Sequence, residues 1–184
     1  MERLGNSRKT PRAGWIDYDN GCFFITICTK DKKHFFGEVR DGKMVLSPIG
    51  EIVDRELSCP EIHHPGVEIP LFVVMPNHLH AIISISSDAE DKSSDLPALQ
   101  RTPNPSLRDN PDVKRKIPAL SQYIAGMKAA VTRQARALCP EFAWHGRYHD
   151  HYIRGARDGF IITDYILNNP ANWDKDCFYP PVQP

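Results

Sequence analysis

Two histidines whose spacing suits a metal ion follow a short break between two apolar runs. Residues 72–75 are apolar, a Pro-Asn pair interrupts the run, and His78 and His80 open the next one. In a β-strand successive side chains point to opposite faces, so His78 and His80 share one face and Leu79 takes the other. Two imidazoles on one face can bind one metal ion, although a pair of hydrogen-bonded core histidines would show the same pattern.

A tyrosine and an asparagine form a second candidate pair near the C-terminus. Tyr165 and Asn169 are four residues apart in a segment that we predict to be helical over 158–169, because Pro170 cannot continue a helix. Residues four apart lie on one helix face, so a phenol and a carboxamide oxygen point the same way. The alternatives are a packing tyrosine and a C-terminal helix cap.

A second histidine pair competes with the first. His149 and His151 also alternate, and a site built from both pairs would make the protein a zinc-dependent hydrolase. No Asp or Glu stands at a familiar zinc spacing such as His-Glu-x-x-His, which argues against this alternative.

The elements that must position these residues combine strands and helices. Asp41-Gly42 predicts a hairpin and Ser47-Pro48 predicts a helix start, with a helix ending near residue 58. Apolar spacing predicts a second helix over 119–138. Strands are predicted at 22–29, 34–39, 43–46, 66–74, 78–85 and 149–154, with an irregular loop at 141–148. These elements predict an α+β fold in which helices pack on an antiparallel sheet.

Composition sets limits on the class of protein. The 184 residues favour a single domain, and 23 basic residues balance 23 acidic ones, so net charge neither favours nor excludes nucleic acid. Five cysteines without a Cys-x-x-Cys pair are typical of a reducing cytoplasm. No run is long enough to cross a bilayer, and the N-terminus lacks the apolar core of a signal peptide, so we expect a cytoplasmic protein without a membrane partner.

Several stretches together resemble one family in the expected order. The segment Met75-Pro76-Asn77-His78-Leu79-His80 resembles the His-hydrophobe-His (HUH) motif of single-tyrosine transposases, and Tyr165-Ile166-Leu167-Asn168-Asn169-Pro170 resembles their catalytic tyrosine helix. Three further stretches resemble the subgroup of REP-associated tyrosine transposases: Tyr18 with residues 23–29, residues 36–39 and residues 144–154. The resemblance spans roughly residues 15–176.

The resemblance implies a ferredoxin-like HUH fold and a function. By this resemblance His78, His80 and Asn169 match the metal ligands, Tyr165 matches the nucleophile, and His151 takes a supporting position. The implied ion is magnesium or manganese, whereas two imidazoles and one amide by themselves would also suit zinc. The implied activity is endonuclease and strand-transfer chemistry on single-stranded or hairpin DNA through a 5′-phosphotyrosine intermediate. The alternative is a catalytically silent or domesticated DNA-binding protein of the same fold.

The expected partners follow from the same resemblance, and the domain limits follow from it together with local composition and charge. We expect DNA with palindromic repeats as substrate, and a homodimer is possible. The domain would cover 15–176, with a flexible basic tail at 1–14, a mobile loop at 86–118 and a C-terminal tail at 177–184. Aromatic residues such as Trp144 and Tyr148 can stack on unpaired bases. The candidate phosphate contacts are Arg3, Arg8, Arg12, Lys114, Arg115, Lys116, Lys128, Arg133 and Arg154.

Overall fold

The computed structural model describes residues 16–86 and 117–179, which form six strands and three α-helices. The strands are β1 (Gly21–Thr29), β2 (Gly37–Arg40), β3 (Lys43–Leu46), β4 (Val67–Met75), β5 (His78–Ile85) and β6 (Trp144–Tyr152). The helices are α1 (Pro48–Ser58), α2 (Ala119–Leu138) and α3 (Ala156–Asn168), and short 3₁₀ turns occupy Lys30–Lys32, Pro60–Ile62 and Pro170–Lys175.

A four-stranded antiparallel sheet is the centre of the described structure. Its strand order is β4-β5-β1-β6, so β5 and β1 are central and β6 is an edge strand. Strand β5 follows β4 after a two-residue break, which places His78 opposite Met75 on β4 and opposite Cys28 on β1. The predicted α+β fold with helices packed on an antiparallel sheet is therefore confirmed.

Strands β2 and β3 form a separate hairpin. Both of its turn residues have positive φ, with 51° at Asp41 and 70° at Gly42, as a type I′ turn requires. Helix α1 then begins at Pro48, where the hydroxyl oxygen of Ser47 accepts a hydrogen bond from the Gly50 amide at 3.1 Å. The local signals in this segment are strong, and the hairpin turn and the N-cap form where the sequence predicts them.

The two faces of the sheet carry different helices, because successive side chains of β1 and β5 point to opposite faces. Phe23, Ile25 and Ile27 point to one face and join α1 and α2 in the main core. Phe24 lies on the other face, where a smaller cluster contains Ile82 and the α3 residues Ile162 and Ile166. Register places His78 and His80 on this second face, because His80 pairs with Thr26 and Ile82 pairs with Phe24. Helix α3 and the paired histidines therefore share one side of the sheet.

One predicted element is wrong, and some predictions fall outside the described residues. The loop predicted at 141–148 is mostly strand, because β6 begins at Trp144 and pairs with β1 through a register shift between Ile27 and Thr29. The sequence did not show its alternation, because the charged Asp150 lies on the α2 side of β6 together with Trp144, Tyr148 and Tyr152. Outside the described residues lie the 1–14 tail, most of the 86–118 loop, and the predicted contacts Arg3, Arg8, Arg12, Lys114, Arg115 and Lys116.

Residues 177–179 pack against the domain, so the described structure continues past the boundary predicted at residue 176. The backbone carbonyl of Phe178 accepts a hydrogen bond from the Asn77 side chain at 2.9 Å, and its ring lies 4.5 Å from that of His78, centroid to centroid. Among the described helices, none is long and apolar enough to cross a membrane.

Candidate active site

Strand β5 buries its two histidines side by side. His78 and His80 are 0% and 2% exposed, and their Nε2 atoms are 3.1 Å apart. Two ligand atoms that each lie about 2.1 Å from one metal ion, with a right angle between the two bonds, would be about 3 Å apart. The pair therefore has the separation that a shared metal ion requires.

Asn77 determines which nitrogen of His78 carries the proton. The Asn77 side-chain nitrogen donates to the carbonyl oxygens of Lys32 at 3.2 Å and Phe178 at 2.9 Å, which orients the amide. Its Oδ1 then faces Nδ1 of His78 at 2.9 Å and can only accept, so Nδ1 carries the hydrogen. The lone pair of the neutral imidazole is left on Nε2, the atom that faces His80.

His80 has an equivalent partner on the neighbouring strand. Its Nδ1 lies 2.9 Å from the hydroxyl oxygen of Thr26, which is 8% exposed. A donor hydrogen on this Nδ1 would leave both Nε2 lone pairs facing each other at 3.1 Å. Such partners on the far ring nitrogen are typical of metal-binding histidines.

Helix α3 places Tyr165 and Asn169 over the histidines. The helix is anchored by Ile162 and Ile166, which are 8% and 1% exposed. The Tyr165 hydroxyl lies 3.2 Å from Nε2 of His80, and its ring meets that of Phe24 edge to face at 6.1 Å. Asn169 is 4% exposed, and its Oδ1 is buried without a hydrogen-bond partner. A buried amide oxygen without a partner is costly, and a cation at this point would satisfy it.

A carboxylate that sequence reasoning missed completes the cluster. The Asp176 oxygen Oδ2 accepts hydrogen bonds from the Asn169 side-chain nitrogen at 3.1 Å and from the Tyr165 hydroxyl at 3.4 Å. His78, His80 and Asp176 offer ligand atoms within 4.8 Å of one another. The sequence shows two carboxylates shortly after Asn169, at 174 and 176, and its spacing does not say which one turns inward. The buried side chain of Trp173 anchors the 3₁₀ turn Pro170–Lys175, and Asp176 follows this turn into the cluster.

The electrostatics favour neutral imidazoles and a protonated tyrosine before any cation binds. Burial lowers the pKa of His78 to about 2 and that of His80 to about 4. Burial, with the Asp176 charge as the next cause, raises the pKa of Tyr165 to about 12. Neutral imidazoles have the lone pairs that a metal needs. A divalent cation beside Tyr165 would stabilise the phenolate, against the effects of burial and of the Asp176 charge, and so would lower the pKa of this tyrosine.

The second histidine pair is not part of this cluster. Nε2 of His151 lies 2.9 Å from an Asp158 oxygen, so this residue contacts α3 at the start of the helix, away from Tyr165. Within residues 16–86 and 117–179, the metal-compatible group of histidine, cysteine and acidic side chains contains neither His149 nor His151. The geometry therefore does not support a zinc site built from both pairs.

The basic residues predicted to contact DNA are divided between locations. Lys128 and Arg133 belong to α2, on the opposite side of the sheet from Tyr165. The Lys128 ammonium donates to the carbonyl of His145 at 2.9 Å and lies 5.7 Å from the centre of the Trp144 ring. Arg154 follows β6, and its backbone amide donates to Asp158. Tyr148 also faces α2, since its hydroxyl lies 3.2 Å from that of Ser121.

Comparison with known proteins identifies the fold class first. The structure of a REP-associated tyrosine transposase bound to a REP hairpin matches this chain with a TM-score of 0.51 and 18% identity, covering 94% of this chain and 74% of that one. The chain therefore has the fold of that transposase, as the resemblance of its motifs predicts. No protein-family model matches the chain.

The family follows from sequence. An uncharacterised protein of Haemophilus influenzae is 34% identical over 174 residues, which cover 94% of this chain and 93% of that protein. The chain belongs to the same family as the Haemophilus influenzae protein.

Proposed function

We propose that the chain is a metal-dependent DNA endonuclease and strand transferase of the transposase type, acting on single-stranded or hairpin DNA with Tyr165 as nucleophile. One observation carries the proposal: the Tyr165 hydroxyl lies 3.2 Å from Nε2 of His80, beside a second histidine and a buried amide oxygen without a partner. A protein with the same fold binds a REP hairpin, which supports DNA as the substrate class.

His78, His80 and Asn169 would hold the metal ion, and Asp176 is close enough to join them. Asn169 and Asp176 add hard oxygen donors to two nitrogens, and this mixture suits magnesium or manganese better than the histidine pair alone would. When bound, a divalent ion withdraws charge from a non-bridging phosphate oxygen and favours the phenolate form of the tyrosine.

Tyr165 supplies the covalent chemistry. Its hydroxyl proton passes towards Asp176, whose oxygen accepts a hydrogen bond from it at 3.4 Å. The phenolate oxygen attacks phosphorus, a tyrosine O–P bond forms, and the bond to the 3′-oxygen breaks. That oxygen takes up a proton and leaves as a 3′-hydroxyl, while the 5′-phosphate stays on Tyr165. Attack by a 3′-hydroxyl of another strand reverses the step and releases the tyrosine, so no external energy source is needed.

A covalent adduct assay tests the proposal. The full-length protein is incubated with labelled single-stranded hairpin DNA and Mn²⁺, and a protein–DNA adduct that survives denaturation is expected. Tyr165→Phe should abolish the adduct and retain binding, whereas the matched variant Tyr179→Phe, an exposed tyrosine of the C-terminal segment, should form it normally. An adduct that persists in Tyr165→Phe would exclude this nucleophile. Binding by the wild-type protein without any adduct would support the catalytically silent alternative.

A further inference from the structure

The contact between the two buried histidines of β5 requires a hydrogen between them. Nε2 of His78 and Nε2 of His80 are 3.1 Å apart, which is a hydrogen-bond distance. Both rings are buried, so each imidazole is neutral before a cation binds and carries one hydrogen. Two facing lone pairs repel each other, so one Nε2 atom donates to the other. Because Asn77 keeps the hydrogen of His78 on Nδ1, the donor is His80.

The donor role of His80 determines what Thr26 does in the metal-free protein. A neutral His80 with its hydrogen on Nε2 has a lone pair on Nδ1, which lies 2.9 Å from the hydroxyl oxygen of Thr26. The Thr26 hydroxyl therefore donates to His80. The hydrogen bonds form one directed chain, in which Thr26 donates to His80, His80 to His78, and His78 to Asn77. Hydrogen bonds that run in one direction strengthen one another.

Binding of a cation requires the other tautomer of His80. A ligand nitrogen must offer a lone pair, so the hydrogen of His80 has to be on Nδ1 when Nε2 is the ligand atom. The ring does not exchange its two nitrogens by turning over, because it is packed between two other rings. Its centroid lies 5.2 Å from that of Phe24 and 5.1 Å from that of Tyr165. The hydrogen must therefore change position while the ring stays in place.

Asn77 and Thr26 occupy corresponding positions on the far ring nitrogens, but only one of them can follow this change. Oδ1 of Asn77 accepts and never donates, so Nε2 of His78 has its lone pair in both states. A hydroxyl rotates about its C–O bond and can either donate or accept. At the same 2.9 Å separation, Thr26 can donate to a lone pair on Nδ1 of His80 or accept a hydrogen from it. Thr26 also lines an open cleft, where its hydroxyl hydrogen can bond to water when it is turned away from His80.

We propose that Thr26 is a positioning residue that allows His80 to change tautomer when a cation binds, whereas His78 is a ligand in a fixed tautomer. Thr26 donates to Nδ1 of His80 in the metal-free protein and accepts from it in the loaded protein. His80 loses one proton from Nε2 and gains one on Nδ1 by exchange with water, so its charge does not change. The inference rests on the proposed function in one respect, since it assumes that both histidines bind a cation.

Nitrogen NMR of the imidazoles tests the tautomer change in the full-length protein, with diamagnetic Mg²⁺ as the cation. Without Mg²⁺ the hydrogen of His80 should be on Nε2, and at saturating Mg²⁺ it should be on Nδ1. The hydrogen of His78 should be on Nδ1 in both samples. The proposal is overturned if the metal-free protein already has the His80 hydrogen on Nδ1. It is also overturned if His80 keeps its hydrogen on Nε2 at saturating Mg²⁺.

Calorimetric titration with Mn²⁺ tests the part played by the Thr26 hydroxyl. Thr26→Val keeps the shape of the side chain and leaves the Nδ1 hydrogen of the loaded His80 without an acceptor. A bound cation makes this N–H a stronger donor, so its hydrogen bond is worth more than the neutral one that the metal-free protein loses. Thr26→Val should therefore bind Mn²⁺ about tenfold more weakly, and Thr26→Ser, which keeps a hydroxyl, should bind it at close to the wild-type affinity.

A second threonine provides the matched control. Thr132 of α2 donates to the Lys128 carbonyl at 2.6 Å, on the opposite side of the sheet, and Thr132→Val should leave the Mn²⁺ affinity unchanged. The role of the Thr26 hydroxyl is excluded if Thr26→Val binds Mn²⁺ like Thr132→Val. It is equally excluded if Thr26→Ser binds Mn²⁺ as weakly as Thr26→Val does.

The tautomer change and the proposed catalysis fail in different ways. If His80 changes tautomer with Mg²⁺ but the wild-type protein forms no covalent DNA adduct, the role of Thr26 stands and the catalysis fails. If the adduct forms and His80 has the same tautomer with and without Mg²⁺, the catalysis stands and the role of Thr26 fails. If the wild-type protein binds neither Mg²⁺ nor Mn²⁺, the role of Thr26 is overturned, and the adduct assay decides separately whether Tyr165 is a nucleophile.

Discussion

Replacing Asn77 with alanine should weaken metal binding without touching a metal ligand. The side chain makes three hydrogen bonds, to the Lys32 carbonyl, the Phe178 carbonyl and Nδ1 of His78. The last of these keeps the hydrogen on Nδ1 and leaves Nε2 of His78 to bind the ion. Loss of such a partner typically lowers metal affinity by about 10- to 100-fold, equal to about 1.4–2.7 kcal/mol.

The same substitution also affects folding, and a second variant separates the two effects. Three hydrogen bonds at about 0.5–1.5 kcal/mol each give an expected loss of about 1.5–4.5 kcal/mol in the free energy of unfolding for Asn77→Ala. Asn77→Asp keeps an acceptor for His78 but loses the donors to both carbonyls. We therefore expect Asn77→Asp to be destabilised and yet to bind Mn²⁺ close to the wild-type level.

Calorimetric titration of the full-length proteins with Mn²⁺ measures the metal affinity of each variant directly. Asn20→Ala, an exposed asparagine before β1, serves as the control. Nitrogen NMR of the imidazoles should show the His78 hydrogen on Nδ1 in the wild-type protein. The prediction would be wrong if Asn77→Ala bound Mn²⁺ with wild-type affinity. It would also be wrong if the NMR spectrum of the wild-type protein placed the His78 hydrogen on Nε2.

Two further predictions follow from the charges around the site. Because burial lowers the pKa of His78 to about 2 and of His80 to about 4, against about 6.5 in the unfolded chain, the unfolded state takes up protons first as pH falls. Between about pH 6.5 and 4, each of these histidines should therefore lower the free energy of unfolding of the metal-free protein by up to about 1.4 kcal/mol for every pH unit. Urea denaturation measures this loss, and equal stability at pH 7 and pH 5 would contradict it. Asp176→Asn should weaken Mn²⁺ binding and lower the pKa of Tyr165, which the Asp176 charge helps to raise, as followed by tyrosinate absorbance. Asp174→Asn, its exposed neighbour, should change neither property, and unchanged Mn²⁺ affinity in Asp176→Asn would remove this residue from the site.

Local signals in the sequence were enough for most of the secondary structure. The Asp41-Gly42 turn needs two residues that tolerate positive φ, and the Ser47 cap needs a hydroxyl before a proline, so short-range chemistry decides both. The predicted helix over 119–138 matches α2, since an apolar stripe over so many turns has few other solutions. The N-terminal part of strand β6 was missed because Asp150 breaks the apolar pattern on the face of Trp144, Tyr148 and Tyr152. Its pairing with β1 also cannot be deduced from the sequence alone.

Alternation along β5 determined from the sequence that His78 and His80 share a face, because a strand permits nothing else. The spacing of Tyr165 and Asn169 likewise determined that they share a helix face. Only tertiary structure decided that these faces meet, because the packing of Ile162 and Ile166 on Ile82 orients α3. The contacts of Asn77 and Asp176 within the site also needed the fold, since they join segments that are distant in the chain.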